Sequence, residues 1–470
     1  MEERKLKLNF KNTFKIGFAF FGILMLWQVY NTYCPIILEA MLKDKGLTNY
    51  HYIVGIIMAL DNVAAIIIMP LVGKMSDKTK TKWGKRMPYI VIGMLLTAIV
   101  FPFIALMCYF NIFAGVIIFM LLFLIIMQAY RSPAVAFMPD VTPKPLRSTA
   151  NGIINLVGYL GGVFATIIGM LPFLKLDSSS TLAEIQSKII WPFIITTIVF
   201  VLVLIYLIFR INENKLVEET KDDVAYGETL ADTEEVIKED NKLSKSDFRN
   251  FILILIAIFF WFMAFNSFET FGSLFFKDIV KDSTIYSTMA MVLSVVSILS
   301  FVLFSTLSNK IGRKLTIVIG LVLLIIALVT TAILSIAIND FSNADGVVAT
   351  GYKLLFMVIA AIMGVGWALV NINSFPMVVE FSNKENIGKF TSYYYMSSML
   401  AQSITPILVG FFMDYLGIGK KILFIYAAIM MIIALVVFMF VKEKISLSKR
   451  KEMAKDEKKK SVLERIGDND

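Results

Sequence analysis

Histidine and cysteine are nearly absent from this chain. One histidine, His51, and two cysteines, Cys34 and Cys108, serve 470 residues. That leaves no Cys/His cluster to hold a metal and no nucleophile–histidine pair for covalent catalysis. His51 falls at a helix start, where a lone imidazole makes a weak proton relay. There is also no glycine-rich loop ending in Gly-Lys-Ser/Thr, so direct ATP coupling is not expected. We therefore expect no cofactor, no metal and no catalytic residue, and we read both cysteines as free thiols. Charge is scarce too. Charged residues make up 17% of the chain and hydrophobic residues 58%, against about 25% and roughly 45–50% in soluble domains.

The apolar excess sits in long runs, such as Ile90 to Phe110 and Leu315 to Ile338. A run of about 20 residues crosses the ~30 Å hydrocarbon core as a helix. Twelve such spans are expected: 14–38, 51–73, 88–109, 113–139, 149–173, 190–210, 250–276, 284–308, 315–338, 353–379, 389–413 and 421–441. They must be helices because lipid offers the backbone no hydrogen-bond partner. With both termini inside, cytoplasmic segments hold 35 of the 45 Lys and Arg residues, external loops hold 9, and Arg131 lies within a span. That asymmetry predicts an even number of spans in a cell membrane with both ends cytoplasmic. The net charge of +9 then reflects topology and contact with anionic lipid. The basic stretch from Lys449 to Lys460 is read the same way, not as a nucleic-acid patch. The first span lacks a small-residue cleavage site and reads as a true helix, not a signal peptide.

Two halves emerge. A cytoplasmic N-terminus (1–13) precedes a six-helix bundle (14–210). A mixed-charge linker (211–248), expected to have little order, leads to a second bundle (249–441) and a basic cytoplasmic tail (442–470). The halves echo each other. Gly73-Lys-Met-Ser-Asp77 and Trp83-Gly84-Lys85-Arg86 follow span 2, and Asn309-Lys-Ile-Gly312-Arg313-Lys314 follows span 8. Asp140 and Glu380 then close spans 4 and 10. Parallel repeats in a membrane put a solute path between them.

These loops resemble the signature of the major facilitator superfamily. The insertion in Ser76-Asp77-Lys-Thr-Lys-Thr-Lys-Trp83-Gly84-Lys85-Arg86-Met-Pro88-Tyr89 looks like the glycoside–pentoside–hexuronide:cation symporters, and especially their sucrose–proton branch. Arg131-Ser-Pro133, Pro139-Asp140-Val-Thr142-Pro143, and Gly366-Trp367 through Asn371, Asn373 and Glu380 carry the likeness into both halves. The resemblance implies an all-α fold of twelve membrane helices in two pseudo-symmetric halves, with Arg131 and Asp140 in the gating or coupling network. One departure matters. Sodium-coupled melibiose relatives have paired aspartates late in span 2, whereas Ala65 to Met69 here holds no acid, which favours protons.

Intramembrane polar residues are functional by default. Asp61 lies 12 residues before Gly73, roughly 18 Å along a helix and so near mid-membrane. Asp61, Glu269, Asp140 and Arg131 are the candidates for proton coupling. Flat rings and amides suit a sugar, and these are Trp27, Gln28, Asn31, Gln128, Asn155, Asn266, Glu269, Trp367, Asn371, Asn373 and Gln402. Any of them can instead bridge helices. Trp27 and Gln28 are adjacent and point about 100° apart. Asp77, Arg86, Asp140, Arg147, Asn309, Arg313 and Glu380 lie at span ends and are candidate gate residues. Gly152, Gly158, Gly161 and Gly162, with Ser294, Ser297 and Ser300 opposite, are expected to allow close helix approach. The expected function is proton-coupled import of a disaccharide or related glycoside by a monomer. A uniporter or exporter of amphipathic compounds is the alternative. A non-transporting sensor would need a large soluble domain, and the sequence offers only the linker and the tail.

Overall fold

The computed structural model describes residues 6–233, 244–304, 311–343, 347–381 and 387–442. Among the described residues, twelve helices are long and apolar enough to cross a membrane. In chain order the helices are α1 (Phe10–Asp44), α2 (His51–Lys78), α3 (Met87–Tyr109), α4 (Phe113–Asp140), α5 (Arg147–Gly169), α6 (Leu182–Arg210), α7 (Glu213–Thr233), α8 (Lys245–Asp278), α9 (Thr284–Phe304), α10 (Arg313–Ala337), α11 (Thr350–Val379), α12 (Ile387–Tyr415) and α13 (Ile422–Met439). Each expected span falls on one of them. Only α7 is not a membrane candidate.

The first span runs four residues earlier and six later than the apolar pattern, because the helix continues through Glu39 and Lys43, which are held by ion pairs. The linker departs from expectation. Its first part is the helix α7, with Glu213 and Leu216 buried and α7 packed on the turn Lys144–Leu146. A mixed-charge sequence forms this helix because one side has protein to lie against.

The packing repeats. In the first half α1 lies against α5 and α6, α3 against α4 and α6, and α2 against α4. In the second half α8 lies against α12 and α13, α10 against α11 and α13, and α9 against α11. Each contact in one half has its counterpart in the other. Across the halves, α2 meets α12, α5 meets α9, and α1 meets α8. The pairs α2–α12 and α5–α9 exchange under the same repeat. We call the end that carries α7 the linker face and the opposite end the far face.

Without a hydrophobic drive between helices in lipid, close approach depends on small residues. Gly161 sits where a Cβ would collide with the Phe21 carbonyl of α1, and Gly158 faces Leu24 and Phe20 of the same helix. Gly152 and Gly162 do not serve this role, since nothing lies within 4 Å of a Cβ at either. The serine expectation is also corrected. Ser297 donates to the Gly364 carbonyl of α11 at 3.0 Å, while α5 meets α9 where Gly169 packs on Ser287. A periodic small-residue stripe shows that helices approach closely but not which neighbour they approach.

Gly161→Val should overpack the α1–α5 seam by about 1–3 kcal/mol, lowering the melting temperature of the detergent-purified protein. Gly162→Val, one residue on, should change stability by no more than about 0.5 kcal/mol. Equal melting points for the two variants would show that the seam does not depend on this approach.

Candidate functional site

The far face is sealed by charges from both halves. Glu39, at the end of α1, is fully buried and accepts from Lys277 Nζ of α8 at 2.8 Å. Lys420, in the turn before α13, reaches both Glu39 and Asp278. Lys43 adds a contact to Glu39 at 3.0 Å. A second tie caps a helix across the halves. The residue before α2 makes no side-chain cap, and Asp414 of α12 supplies one. It accepts from the Tyr52 N–H at 2.8 Å and the His51 N–H at 3.3 Å, while His51 Nδ1 lies 2.6 Å from the same carboxylate. A carboxylate at a helix N-terminus satisfies orphan amides and complements the dipole. A third tie joins loops: Leu176 N–H donates to Ser283 Oγ, and Ser283 N–H to the Leu176 carbonyl, each at 2.9 Å.

Tyr159 of α5 keeps 45% of its surface accessible. Tyr159 is within electrostatic range of Glu269 and Tyr395, which sit on α8 and α12. Groups of both halves thus come within reach of one another here. Asn155 lies one turn before Tyr159 on the same face of α5, and Gln402 lies two turns past Tyr395 on the same face of α12.

On the first half, three helices converge. Asp61 of α2 is 6% exposed and accepts from Gln128 Nε2 of α4 at 3.0 Å. The Arg131 guanidinium, also on α4, is within range of Asp61 and lies 5.7 Å over the Trp27 ring of α1. The cluster thus presents an acid, an amide, a cation and an indole, with Trp27 and Arg131 half-buried. On the second half, Trp367 of α11 stacks on Phe265 of α8 at 3.8 Å and 12°. Asn266 lies beside Glu269, and its Oδ1 has no partner among the described residues. Such pairing is required because an isolated charge or amide in hydrocarbon is costly.

The remaining candidates sort by what they touch. Gln28 and Asn31 are half-buried, and Gln28 Nε2 donates to Thr32 Oγ1 at 3.3 Å. Asn371 spends its amide N–H on the Trp367 carbonyl at 2.8 Å and stays half-buried. Asn373 does not belong with the others. It is 1% exposed, and its amide donates to the Leu369 carbonyl of its own helix at 3.0 Å. Two residues along a helix turn the side chain by about 200°, so Asn373 points away from the side on which Asn371 and Trp367 lie.

At the linker face, Arg86 is the hub. It bonds Asp140 Oδ2 at 2.8 Å, Asp77 at 2.5 Å and Ser76 Oγ at 2.5 Å, and Lys85 adds a pair to Asp140 at 3.1 Å. Burial works against the Arg86 charge, but the hydrogen bonds to Asp140 and Asp77 outweigh it and hold its pKa above the ordinary value. Asp140 lies nine residues past Arg131 on α4, roughly 13 Å along the axis. Its bonds group it with the gate candidates and not with Asp61. The second half repeats the arrangement, with Arg313 paired to Glu380. Gly84 and Gly312 precede the two basic pairs with φ of +105° and +92°, a conformation that glycine adopts without strain. Asn309 lies outside the described residues. Arg147 holds the α4–α5 turn, donating to the Thr142 and Pro139 carbonyls at 3.1 and 3.2 Å.

Sequence reasoning missed two groups. Glu39, Lys277 and Lys420 fall at or just past span ends, where a charge reads as interfacial. Glu213 sits in the linker, yet it is 1% exposed and accepts from the amides of Lys85, Arg86 and Met87 at 2.8–3.1 Å. The signal for Glu213 was weak: an acid near a helix start that lacks its own cap.

Two parallel six-helix repeats tied across one face are the architecture of secondary transporters. The profile of the Major Facilitator Superfamily matches residues 16–351 and 341–467, and the chain belongs to that family. Its twelve candidate spans agree with a multi-pass membrane protein of that transporter family. Among relatives, the lactose permease of Lactobacillus delbrueckii subsp. bulgaricus is 22% identical over 308 residues, covering 63% of this chain and 47% of that one. The lactose permease of Leuconostoc lactis is 32% identical over 117 residues, 23% of this chain and 18% of that one. The chain thus spans less than half the length of these relatives in the matched regions. Among solved structures, a D-xylose–proton symporter superposes with a TM-score of 0.65 at 14% identity, covering 93% of this chain and 99% of that one. At that identity the likeness concerns the fold alone.

Removing one member of a buried charge cluster costs about 3–5 kcal/mol. In a Cys34→Ser, Cys108→Ser background, Ser287→Cys places a thiol at the sealed α5–α9 contact. Adding Glu39→Gln should raise maleimide labelling of that thiol at least about tenfold, in line with the lost pairing. An unchanged rate would mean that these charges do not hold the far face shut.

Proposed function

We propose that the protein is a proton-coupled importer of a disaccharide or related glycoside, in the glycoside–pentoside–hexuronide:cation group and its sucrose–proton-like branch. The observation that carries this reading is the cluster of Asp61, Gln128, Arg131 and Trp27 from three helices of one half. A ring and amides recognise a sugar through its apolar face and its hydroxyls. An acid beside an arginine has two low-energy arrangements. It is ionised and paired with the cation, or protonated when a bound solute engages that cation. Loading the solute and the proton together is then favoured over loading either alone. The similarity to lactose permeases supports a sugar as the solute. The lack of an acid from Ala65 to Met69 supports protons over sodium.

In this reading the termini and the linker face are cytoplasmic, following the Lys and Arg asymmetry. The far-face cluster is the outer gate, closed in this conformation. The Arg86–Asp77–Asp140 and Arg313–Glu380 clusters stiffen the inner ends of the two halves, which rock about a site between them. Glu269 and Asn266, with Trp367 and Asn371, offer the second half's side of the sugar site. Tyr159 and Tyr395 extend the same surface.

Asp61→Asn should abolish uphill accumulation of labelled sugar in energised vesicles, leaving sugar–sugar exchange within about threefold of wild type, since exchange needs no net proton movement. Accumulation at the wild-type level would clear Asp61 of coupling. Uptake that ignores both the pH gradient and the membrane potential would remove proton coupling altogether.

A further inference from the structure

A concavity lies away from the candidate transport site. It opens at the linker face between the starts of α1 and α3, the end of α6 and the start of α7, with a volume of about 550 Å³. We propose that it binds an anionic phospholipid, the phosphate on its basic wall and the glycerol and upper acyl carbons on its apolar wall.

The basic wall carries Lys15, Lys82, Arg210 and Lys215, set against one acid, Glu219. Glu219 is matched with Lys215 at 3.8 Å, which leaves an excess of three positive charges. Lys15 leans on the Asn12 amide oxygen at 3.4 Å. Lys82 and Arg210 are exposed, and their side chains have no bonded partner among the described residues. Three cations around one hollow repel one another, and an anion placed among them relieves that repulsion. The site is not a helix terminus in disguise. The first amides of α3 are already taken by Glu213, so the attraction comes from side chains.

The apolar wall decides between a lipid and a free anion. Val91 and Ile208 line the hollow, and Trp83 and Phe209 stand at its rim, 58% and 81% exposed. Arg210 is the last residue of the α6 span, so the hollow straddles the level where hydrocarbon gives way to headgroups. Aromatic rings favour that level, and basic hollows between membrane helices there bind lipid head groups. A soluble phosphate would use the cations and leave the apolar wall idle, whereas a phospholipid uses both.

The place has a consequence for the gate. Lys82, Trp83 and Met87 form one side of the hollow, and they flank Arg86, the hub of the linker-face cluster. The start of α7 forms another side. A lipid seated here ties α7 to the segment around Arg86 and reinforces the grip of Glu213 on it.

The test uses the full-length protein in detergent, titrated with phosphatidylglycerol and followed by native mass spectrometry and thermal unfolding. Phosphatidylglycerol should bind and raise the melting temperature. Phosphatidylcholine and inorganic phosphate at the same concentration should do neither. Lys82→Gln with Arg210→Gln should weaken phosphatidylglycerol binding about 30-fold, the worth of two cations at a membrane surface. Lys82→Arg with Arg210→Lys should keep it. If the double glutamine variant does not fold, Lys82→Gln alone, on an exposed loop, should weaken binding about fivefold. Undiminished binding in the glutamine variants, or equal stabilisation by phosphatidylcholine, would overturn the site. Equal stabilisation by inorganic phosphate would overturn the lipid as its occupant.

Discussion

A charge placed inside a bilayer must find its partner in protein, and most of this molecule's architecture follows from that requirement. Glu39 of α1, Lys277 of α8 and Lys420 of the turn before α13 bury one another. Asp61 of α2 meets Gln128 and Arg131 of α4 nearer the middle of the membrane. Each cluster closes only when several helices stand at one spacing and rotation. The apolar surface would tolerate many other arrangements, because lipid tails solvate leucine as well as another helix does.

The clusters differ in what satisfies them. At the far face the partners come from opposite halves, so the pairing is available only while the halves meet there. At the linker face Arg86 pairs with Asp77 and Asp140, and Arg313 pairs with Glu380. All of these partners lie within one half. These contacts survive any movement of one half against the other and keep each half rigid. In the proposed reading, two matched bodies joined at one face by contacts that can separate form a device with two states, with Asp61 between the joined face and the linker face. The linker joins in through Glu213, which holds the start of α3 from outside the bundle.

Much of the fold was legible because the bilayer imposes a length on every helix. Twelve apolar runs gave twelve helices with modest errors at the ends, and the echo between Arg86 and Arg313 foretold the repeat in packing. Asp61, Arg131 and Trp27 stood out because a polar or large flat residue amid leucines needs a reason. Asn373 stood out equally and was misplaced, since its amide satisfies its own helix. Gly162 looked like Gly161, yet only one of them faces α1. The far-face cluster was not legible. Glu39 and Lys277 are 238 residues apart and Glu39 and Lys420 are 381 apart, and each alone resembles an ordinary charge at a membrane surface.

The sequence by itself determined what is set by solvent and period: membrane class, number of spans, twofold internal repeat, and the list of polar residues that cannot face lipid. The tertiary structure alone decided which of those residues meet, and that charges of the two halves pair across the far face. Those outcomes depend on the rotation and spacing of helices distant in the chain, and a charge carries no mark of its partner until the helices are packed.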